Sequence, residues 1–158
     1  MPPHIEIRPI RRNELEAWLE LRLLLWPDFT REELEQEQLR ILRDEARHAT
    51  FVAVLPDGQF AGFIEASLRD WAEGCTSEPV GYIEAWYVAP GLRRSGIGSS
   101  LVKAAEAWAI SKGCVEMASD TELWNDTSQI AHQALGYQEA IRIVCYTKRL
   151  AESKPGAS

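Results

Sequence analysis

The stretch from Val88 to Leu101, VAPGLRRSGIGSSL, constrains the fold of this chain more than any other. It joins an apolar run with strand character, VGYIEAWYVA, to a run whose apolar residues recur at helical spacing. Glycine lets the backbone approach a ligand closely, and the first amides of a helix lack internal partners. The helix dipole favours an anion at the same place. This order of strand, glycine loop and helix predicts an α/β domain with a phosphate site at the start of the helix.

Two adjacent arginines, Arg93 and Arg94, strengthen the anion interpretation. Positive charge at the start of a helix opposes the helix dipole, so a bound anion explains these residues better than helix stability does. The alternative is a flexible turn with solvated arginines. The loop lacks the GK[ST] of a Walker loop and the second glycine step of a dinucleotide-binding fingerprint, which excludes both of those phosphate sites.

Turn and cap signals divide the rest of the chain into strands and helices. Thr30 with Glu33 predicts a capping box, the PDG turn at 56–58 predicts a hairpin, and Gly113 ends a predicted helix. The segment RIVCYTK near the end is predicted to be a last strand. The predicted order is β-αα-βββ-α-β-α-β, with helices flanking a mixed central sheet.

Length and composition limit the function classes. A chain of 158 residues with 46% hydrophobic residues suits one domain, which we assign to residues 1–150, followed by a flexible tail at 151–158. The net charge of -7 argues against nucleic acid and is compatible with a cationic ligand. Neither the three cysteines nor the three histidines have metal-ligand spacing, and reduced thiols favour a cytoplasmic protein. No apolar run approaches the roughly 20 residues that cross a bilayer, so no membrane partner is expected.

The spacing V-x-P-x-x-R-x-x-G-x-G between strand and helix resembles the acetyl-CoA loop of the GCN5-related N-acetyltransferases. The predicted element order matches that family over nearly the whole chain. Four shorter motifs are similar, in the same order, to those of the aminoglycoside 6′-N-acetyltransferases: LLLWPD, EGCTSEPVGYIEAWYV, GCVEMASDT and HQALGYQEA. The resemblance implies acetyl-CoA as co-substrate, an aminoglycoside amine as acceptor with the 6′-amine favoured, and a homodimer.

The resemblance also implies which residues hold acetyl-CoA. The glycine loop wraps the pyrophosphate, mostly through backbone amides, and the edge of the preceding strand pairs with the pantetheine arm as an added peptide strand would. One further candidate, Asn125, has an equally good alternative as the N-cap of a helix. The predicted cofactor-binding residues are Trp86, Tyr87, Val88, Arg93, Arg94, Ser95, Gly96, Ile97, Gly98, Ser99 and Asn125.

Acidic residues dominate the predicted acceptor side. Glu84 lies within the apolar strand YIEAWYV, where a carboxylate needs either a function as general base or an ion pair with an arginine. Asp120 follows the predicted strand CVEMAS; the resemblance implies that it binds a ring ammonium, and the alternative is a helix cap or turn. These two are the predicted catalytic residues. The predicted substrate-binding residues are Trp26, Asp70, Trp71, Glu84, Asp120 and Glu139.

Departures from the family leave the range of accepted aminoglycosides open. Trp71 stands where relatives usually have tyrosine, and Ile141 where some have an acid. Tyr137 either packs in the core or protonates the leaving thiolate. No cysteine is placed for a covalent intermediate, so direct attack is predicted. Two other functions remain: an acetyltransferase of the same fold acting on a polyamine, amino-acid or peptide amine, and a non-enzymatic coenzyme A-binding module, against which Glu84 argues.

Overall fold

In the computed structural model, which describes residues 4–152, the chain forms a five-stranded mixed sheet with helices on both faces. The strands lie in chain order across the sheet: β1 Glu6–Pro9, β2 His48–Val54, β3 Phe60–Arg69, β4 Val80–Val88 and β5 Met117–Ser119. The helices are α1 Leu15–Leu25, α2 Arg31–Arg43, α3 Ile97–Ser111 and α4 Asp126–Ala134. Neighbouring strands are antiparallel except β4 and β5, which are parallel. The predicted α/β class and the predicted order are confirmed up to α4.

The two faces of the sheet bury different helices, because successive side chains of a strand point to opposite faces. On the α3 face, Leu101 and Val102 of α3 pack in one cluster with Ile64 and Ile83 of the sheet. On the opposite face, the α1–α2 face, Trp18 and Leu21 of α1 pack against the sheet, with residues of α2 at the border of the cluster. The side chain of each site residue on β3 and β4 can therefore be assigned either to the α3 face or to the α1–α2 face of the sheet.

A buried ion pair joins the elements of the α1–α2 face. Arg22 is fully buried; its Nε donates to Glu65 Oε1 at 2.7 Å and its Nη1 to the Leu34 carbonyl at 2.8 Å. Trp18 Nε1 donates to the same oxygen of Glu65 at 3.0 Å. Burial raises the pKa of Glu65 to about 7, and the guanidinium of Arg22 acts in the opposite direction. One carboxylate thus ties α1, and through Arg22 also α2, to the middle of β3.

Removing this carboxylate should therefore be costly. Glu65→Ala leaves the charge of Arg22 buried with only a carbonyl and the partly exposed Glu37 as partners, and we expect a loss of about 3–5 kcal/mol in the free energy of unfolding, measured with urea. Glu37→Ala is the matched control, since Glu37 also binds Arg22, at 2.8 Å, but is 44% exposed. The control should lose less than about 1 kcal/mol. Equal losses in the two variants would contradict the argument.

The local signals in the sequence are confirmed. At the capping box, Glu33 N–H donates to Thr30 Oγ1 at 3.2 Å and Thr30 N–H donates to Glu33 Oε2 at 2.8 Å. The hairpin turn at 56–58 connects β2 to β3, and Gly113 follows α3 with a φ of +90°. β5 is shorter than the predicted strand CVEMAS, with three half-buried residues.

The predicted last strand, RIVCYTK at 142–148, is wrong for the single chain. No helix or strand follows α4 within the described residues, and all side chains from 138 to 152 are exposed. Val144 is 71% and Tyr146 is 89% exposed. A strand exists only through pairing, and the edge strand β5 pairs with β4 alone. Of the predicted tail at 151–158, residues 153–158 lie outside the part of the chain that the structure describes. None of the described helices is long and apolar enough to cross a membrane.

Candidate active site

The candidate site lies where β4 separates from β5. The two strands pair only from Gly81 to Ile83. At the next residue the register between β3 and β4 shifts, because Ala66 pairs with Ile83 but Glu65 pairs with Ala85. Glu84 is therefore the extra residue of a β-bulge, a device that redirects a side chain and ends regular pairing. Beyond the bulge, the described chain has no strand along the outer edge of β4.

The open edge of β4 contains the predicted pantetheine-binding residues. Trp86 and Val88 turn their side chains to the α3 face, and Tyr87 turns its ring into the core of the α1–α2 face. A peptide-like ligand can add to such an edge through main-chain hydrogen bonds. Arg93 already uses one of these groups, because its Nε donates to the Val88 carbonyl at 2.9 Å. The binding role of 86–88 stays a prediction, with its backbone in a suitable place.

The glycine loop leads into α3 as predicted. Gly96 is the N-cap of the helix with φ 88° and ψ -1°, a left-handed conformation that favours glycine. Arg94 also has a positive φ, 64°. Ser100 is the first residue of the helix whose N–H reaches the loop, at the Gly96 carbonyl, 3.0 Å away. The amides before it are the free donors that every helix start provides, and they can hold an anion.

Two other residues of the loop have structural functions. Ile97 is buried in the core of the α3 face, so only its amide is available to a ligand. A Cβ on Gly98 would lie 3.1 Å from Cζ2 of Trp86. A side chain at this position would press on the indole, so Gly98 lets the start of α3 lie close to Trp86, whatever it contributes to a ligand. The remaining predicted loop residues, Ser95 and Ser99, are exposed and half-buried.

Trp86 provides a test of whether the site fits acetyl-CoA. Its Nε1 is buried and has no hydrogen-bond partner among residues 4–152. The indole lies beside the start of α3 at Gly98 and makes an edge contact with His132, with ring centroids 5.3 Å apart. Arg8 Nε and Thr50 Oγ1 also lack a hydrogen-bond partner in the described chain, so the indole nitrogen alone does not identify a ligand. The acceptor oxygens of acetyl-CoA instead fit the free amides at the start of α3, beside this indole.

Glu84 is held by neighbours on β3. Arg69 Nε donates to its Oε1 at 2.9 Å, Arg69 Nη2 to its Oε2 at 2.8 Å, and Ser67 Oγ to its Oε1 at 2.6 Å. The ion pair with an arginine, one of the two alternatives from the sequence, is thus present. The Glu84 side chain is 33% exposed, so it remains reachable from solvent while its orientation is fixed.

Asp120 joins the same group of side chains. The hydroxyl of Tyr82 donates a short hydrogen bond to Asp120 Oδ2, and burial together with this carboxylate raises the pKa of Tyr82. The guanidinium carbon of Arg69 lies 3.4 Å from the centroid of the Tyr82 ring. The alternative role of Asp120 as a helix cap is wrong, because α4 begins six residues later. We call Ser67, Arg69, Tyr82, Glu84 and Asp120 the acceptor cluster.

The other predicted residues have partners outside the acceptor cluster. The Asn125 side chain accepts the Ser128 N–H at 3.1 Å, which makes Asn125 the N-cap of α4. Asp70 pairs with Arg47 at 3.0 Å. Glu139 pairs with Arg142, whose hydrogen bond lowers the pKa of that carboxyl. Of the predicted acids, Glu84 and Asp120 share the contacts of the acceptor cluster, whereas Asp70 and Glu139 pair with arginines that do not belong to it.

The predicted aromatic residues differ in how much of each ring is exposed. Trp26 is half-buried, with the Arg22 guanidinium 5.0 Å from its ring centroid, whereas Trp71 is 67% exposed and free to form a platform. Tyr137 packs beside the α3 core and donates to Glu106 Oε2 at 3.3 Å, and burial raises its pKa. This position agrees with packing, one of the two roles that the sequence leaves open for Tyr137.

Sequence reasoning missed three members of the acceptor cluster: Ser67, Arg69 and Tyr82. One signal was available, since Glu65, Ser67 and Arg69 alternate along β3 and so share one face of the sheet. The contacts of Ser67 and Arg69 with Glu84 on β4 depend on the bulge, which the sequence does not reveal.

The comparisons with known proteins agree with this geometry. The Acetyltransferase (GNAT) family matches residues 17–137. Aminoglycoside N(6′)-acetyltransferase type 1 of Klebsiella aerogenes is 44% identical over 146 residues, covering 91% of this chain and 96% of that protein. The protein of the same name from Salmonella typhimurium is 39% identical and covers 92% and 99%. The structure of AAC(6′)-Iy in complex with the bisubstrate analog CoA-S-monomethyl-acetylneamine has a TM-score of 0.87 at 39% identity, covering 92% of this chain and 99% of that one.

Proposed function

Because this chain belongs to the GNAT acetyltransferase family, we propose that it transfers acetyl from acetyl-CoA to an amine of an aminoglycoside, favouring the 6′-amine. The observation that carries the proposal is the position of Glu84 and Asp120 at the point where β4 separates from β5, beside the open edge that suits pantetheine. Relatives named for this reaction match nearly the full length of the chain and support the proposal.

The arrangement accounts for each part of the transfer. The amides at the start of α3 hold the pyrophosphate, and the edge of β4 orients the arm that ends in the thioester. Asp120 binds the acceptor as an ammonium, which must lose a proton before it can attack. Glu84 takes that proton, directly or through water, and the neutral amine nitrogen then bonds to the acetyl carbon as the carbon–sulfur bond breaks. The acetyl group passes directly to the amine without an acyl-enzyme intermediate. The sulfur leaves as thiolate, and the nitrogen gives its second proton to the thiolate or to water, which leaves a neutral amide.

One assay separates this function from its alternatives. Release of free coenzyme A is followed with kanamycin, spermidine or a peptide as acceptor, and mass spectrometry locates the acetyl group. Rapid release with kanamycin and acetylation at the 6′-nitrogen supports the proposal. Faster turnover with spermidine or a peptide assigns the acceptor to another amine, and no release with any acceptor indicates a non-enzymatic coenzyme A-binding module.

Asp120→Asn tests the acceptor side. Loss of one charged partner of an ammonium should raise the aminoglycoside KM about 10- to 100-fold and leave the acetyl-CoA KM unchanged. Added salt should weaken aminoglycoside binding by the parent more than by the variant, since the variant lacks the pair that salt screens. Asp126→Asn is the matched control: it changes an exposed aspartate at the first residue of α4.

Steady-state kinetics with both substrates decides the outcome. An aminoglycoside KM that Asp120→Asn leaves unchanged would remove Asp120 from the site and weaken the aminoglycoside assignment. A similar increase in the Asp126→Asn control would point to general charge attraction instead of a specific pair.

We further propose that the protein is a homodimer in the cytoplasm. The exposed apolar side chains of 142–148 and the outer edge of β5 support the dimer, because a second copy would cover both. The three cysteines are free thiols, which suits a reducing compartment. Light scattering should give twice the mass of one chain, with slow amide exchange at 142–148. A monomer would refute the dimer.

A further inference from the structure

The carboxylate of Glu84 has few acceptor positions left. A carboxylate offers about four lone-pair positions, two on each oxygen. Oε1 accepts from both Ser67 Oγ, at 2.6 Å, and Arg69 Nε, at 2.9 Å, so its two positions are used. Oε2 accepts only Arg69 Nη2, at 2.8 Å. One position on Oε2 therefore remains for an incoming proton.

Arg69 is itself fixed more firmly than an ordinary surface arginine. Its two nitrogens reach both oxygens of Glu84, and its flat group lies over the Tyr82 ring at 3.4 Å. The hydrogen bond with Glu84 is the largest cause that raises the pKa of Arg69, and it acts against partial burial. Tyr82 is held in turn by Asp120. Arg69 thus connects the two predicted catalytic carboxylates through one stacked ring.

The bulge makes this support necessary. Glu84 is the unpaired residue of β4, so regular strand pairing does not fix the direction of its side chain. A planar guanidinium that binds both carboxylate oxygens supplies that direction, and lysine, a single point charge, cannot reproduce it.

We propose that Arg69 is the positioning residue of the acceptor site: it turns Glu84 so that the single free position on Oε2 faces the amine. This inference rests on the proposed function and adds a residue to it. Arg69 does not exchange a proton in the reaction; it acts through Glu84, with Ser67 as a second support.

Arg69→Met tests the proposal, because methionine keeps much of the apolar stem and removes the paired donors. We expect kcat to fall about 10²-fold, the size of effect that a misplaced catalytic group produces. The acetyl-CoA dissociation constant from calorimetry should stay unchanged. Arg69→Lys should recover only a small part of kcat. Arg31→Met is the matched control, since Arg31 also pairs with acids, Glu16 and Glu20, and is 50% exposed against 41% for Arg69. The kcat of this control variant should fall less than about threefold.

A double variant distinguishes positioning from a purely structural ion pair. If Arg69 acts through Glu84, adding Arg69→Met to Glu84→Gln should lower kcat no further, whereas independent effects multiply. Multiplying losses, or an Arg69→Met kcat within twofold of the parent, would overturn the proposal. A parent that does not acetylate aminoglycosides but acetylates another amine would refute the proposed acceptor, and the same variants could then be measured with that amine.

Discussion

Replacing Glu84 by glutamine is expected to lower kcat by about 10²- to 10⁴-fold, the usual cost of losing a general base. Glutamine has nearly the same shape and can still accept from Ser67, but it cannot take a proton from the acceptor ammonium. The described hydrogen bonds of Glu84 are to Ser67 and Arg69 and not to the loop at the start of α3, so the acetyl-CoA dissociation constant should stay the same. Turnover is measured at neutral pH with both substrates saturating, and calorimetry gives the dissociation constant.

A second carboxylate provides the control for this variant. Glu14 also binds an arginine through both of its oxygens, Arg8 on β1, at the opposite edge of the sheet. Glu14→Gln should leave kcat unchanged, which shows that loss of an arginine pair alone does not reduce turnover. A Glu84→Gln enzyme with turnover within about twofold of the parent would exclude Glu84 as the essential base.

Replacing Gly96 by valine is expected to raise the acetyl-CoA dissociation constant about 10- to 100-fold. With φ at 88°, a β-branched residue here is strained by about 1–3 kcal/mol, and relief of that strain should turn away the amides that we propose hold the pyrophosphate. A Cβ at Gly96 would meet no atom within 4 Å, so the fold has room for the side chain. Calorimetry with coenzyme A measures the change, and circular dichroism confirms that the variant is folded.

The same loop contains a matched glycine. Gly91 also has open space around its Cβ position but does not have a positive φ. Gly91→Val should therefore bind coenzyme A like the parent. Unchanged affinity in a folded Gly96→Val variant would refute the assignment of the pyrophosphate to this loop.

The features that the sequence predicted well are those set by neighbouring residues. The cap at Thr30, the turn at 56–58 and the glycine loop before α3 each depend on a few adjacent side chains, and all three are present. The predicted strand at 142–148 has a strand-like composition, but a strand needs a pairing partner, and none of the described strands pairs with this segment.

The contacts of Glu84 show that long-range pairing also limits what the sequence can predict about the site. An apolar strand with one acid predicted that Glu84 needs a partner or a function, and the structure shows a partner. Arg69 lies 15 residues away in the chain, and it meets Glu84 because β3 and β4 pair with a bulge at that position. Register and bulges arise from the whole sheet, so residue patterns identified the acid but not the arginine that binds it.

The bulge at Glu84 also has a consequence for the order of events in catalysis. Trp86 and the loop before α3 lie on the α3 face, while Glu84 and Arg69 lie on the α1–α2 face. In the proposed reaction, donor and acceptor thus approach the gap between β4 and β5 from opposite sides of one sheet and meet within it. Neither ligand has to leave before the other binds. This geometry therefore suits a ternary complex in which the two substrates are bound at the same time, one from each face of the sheet.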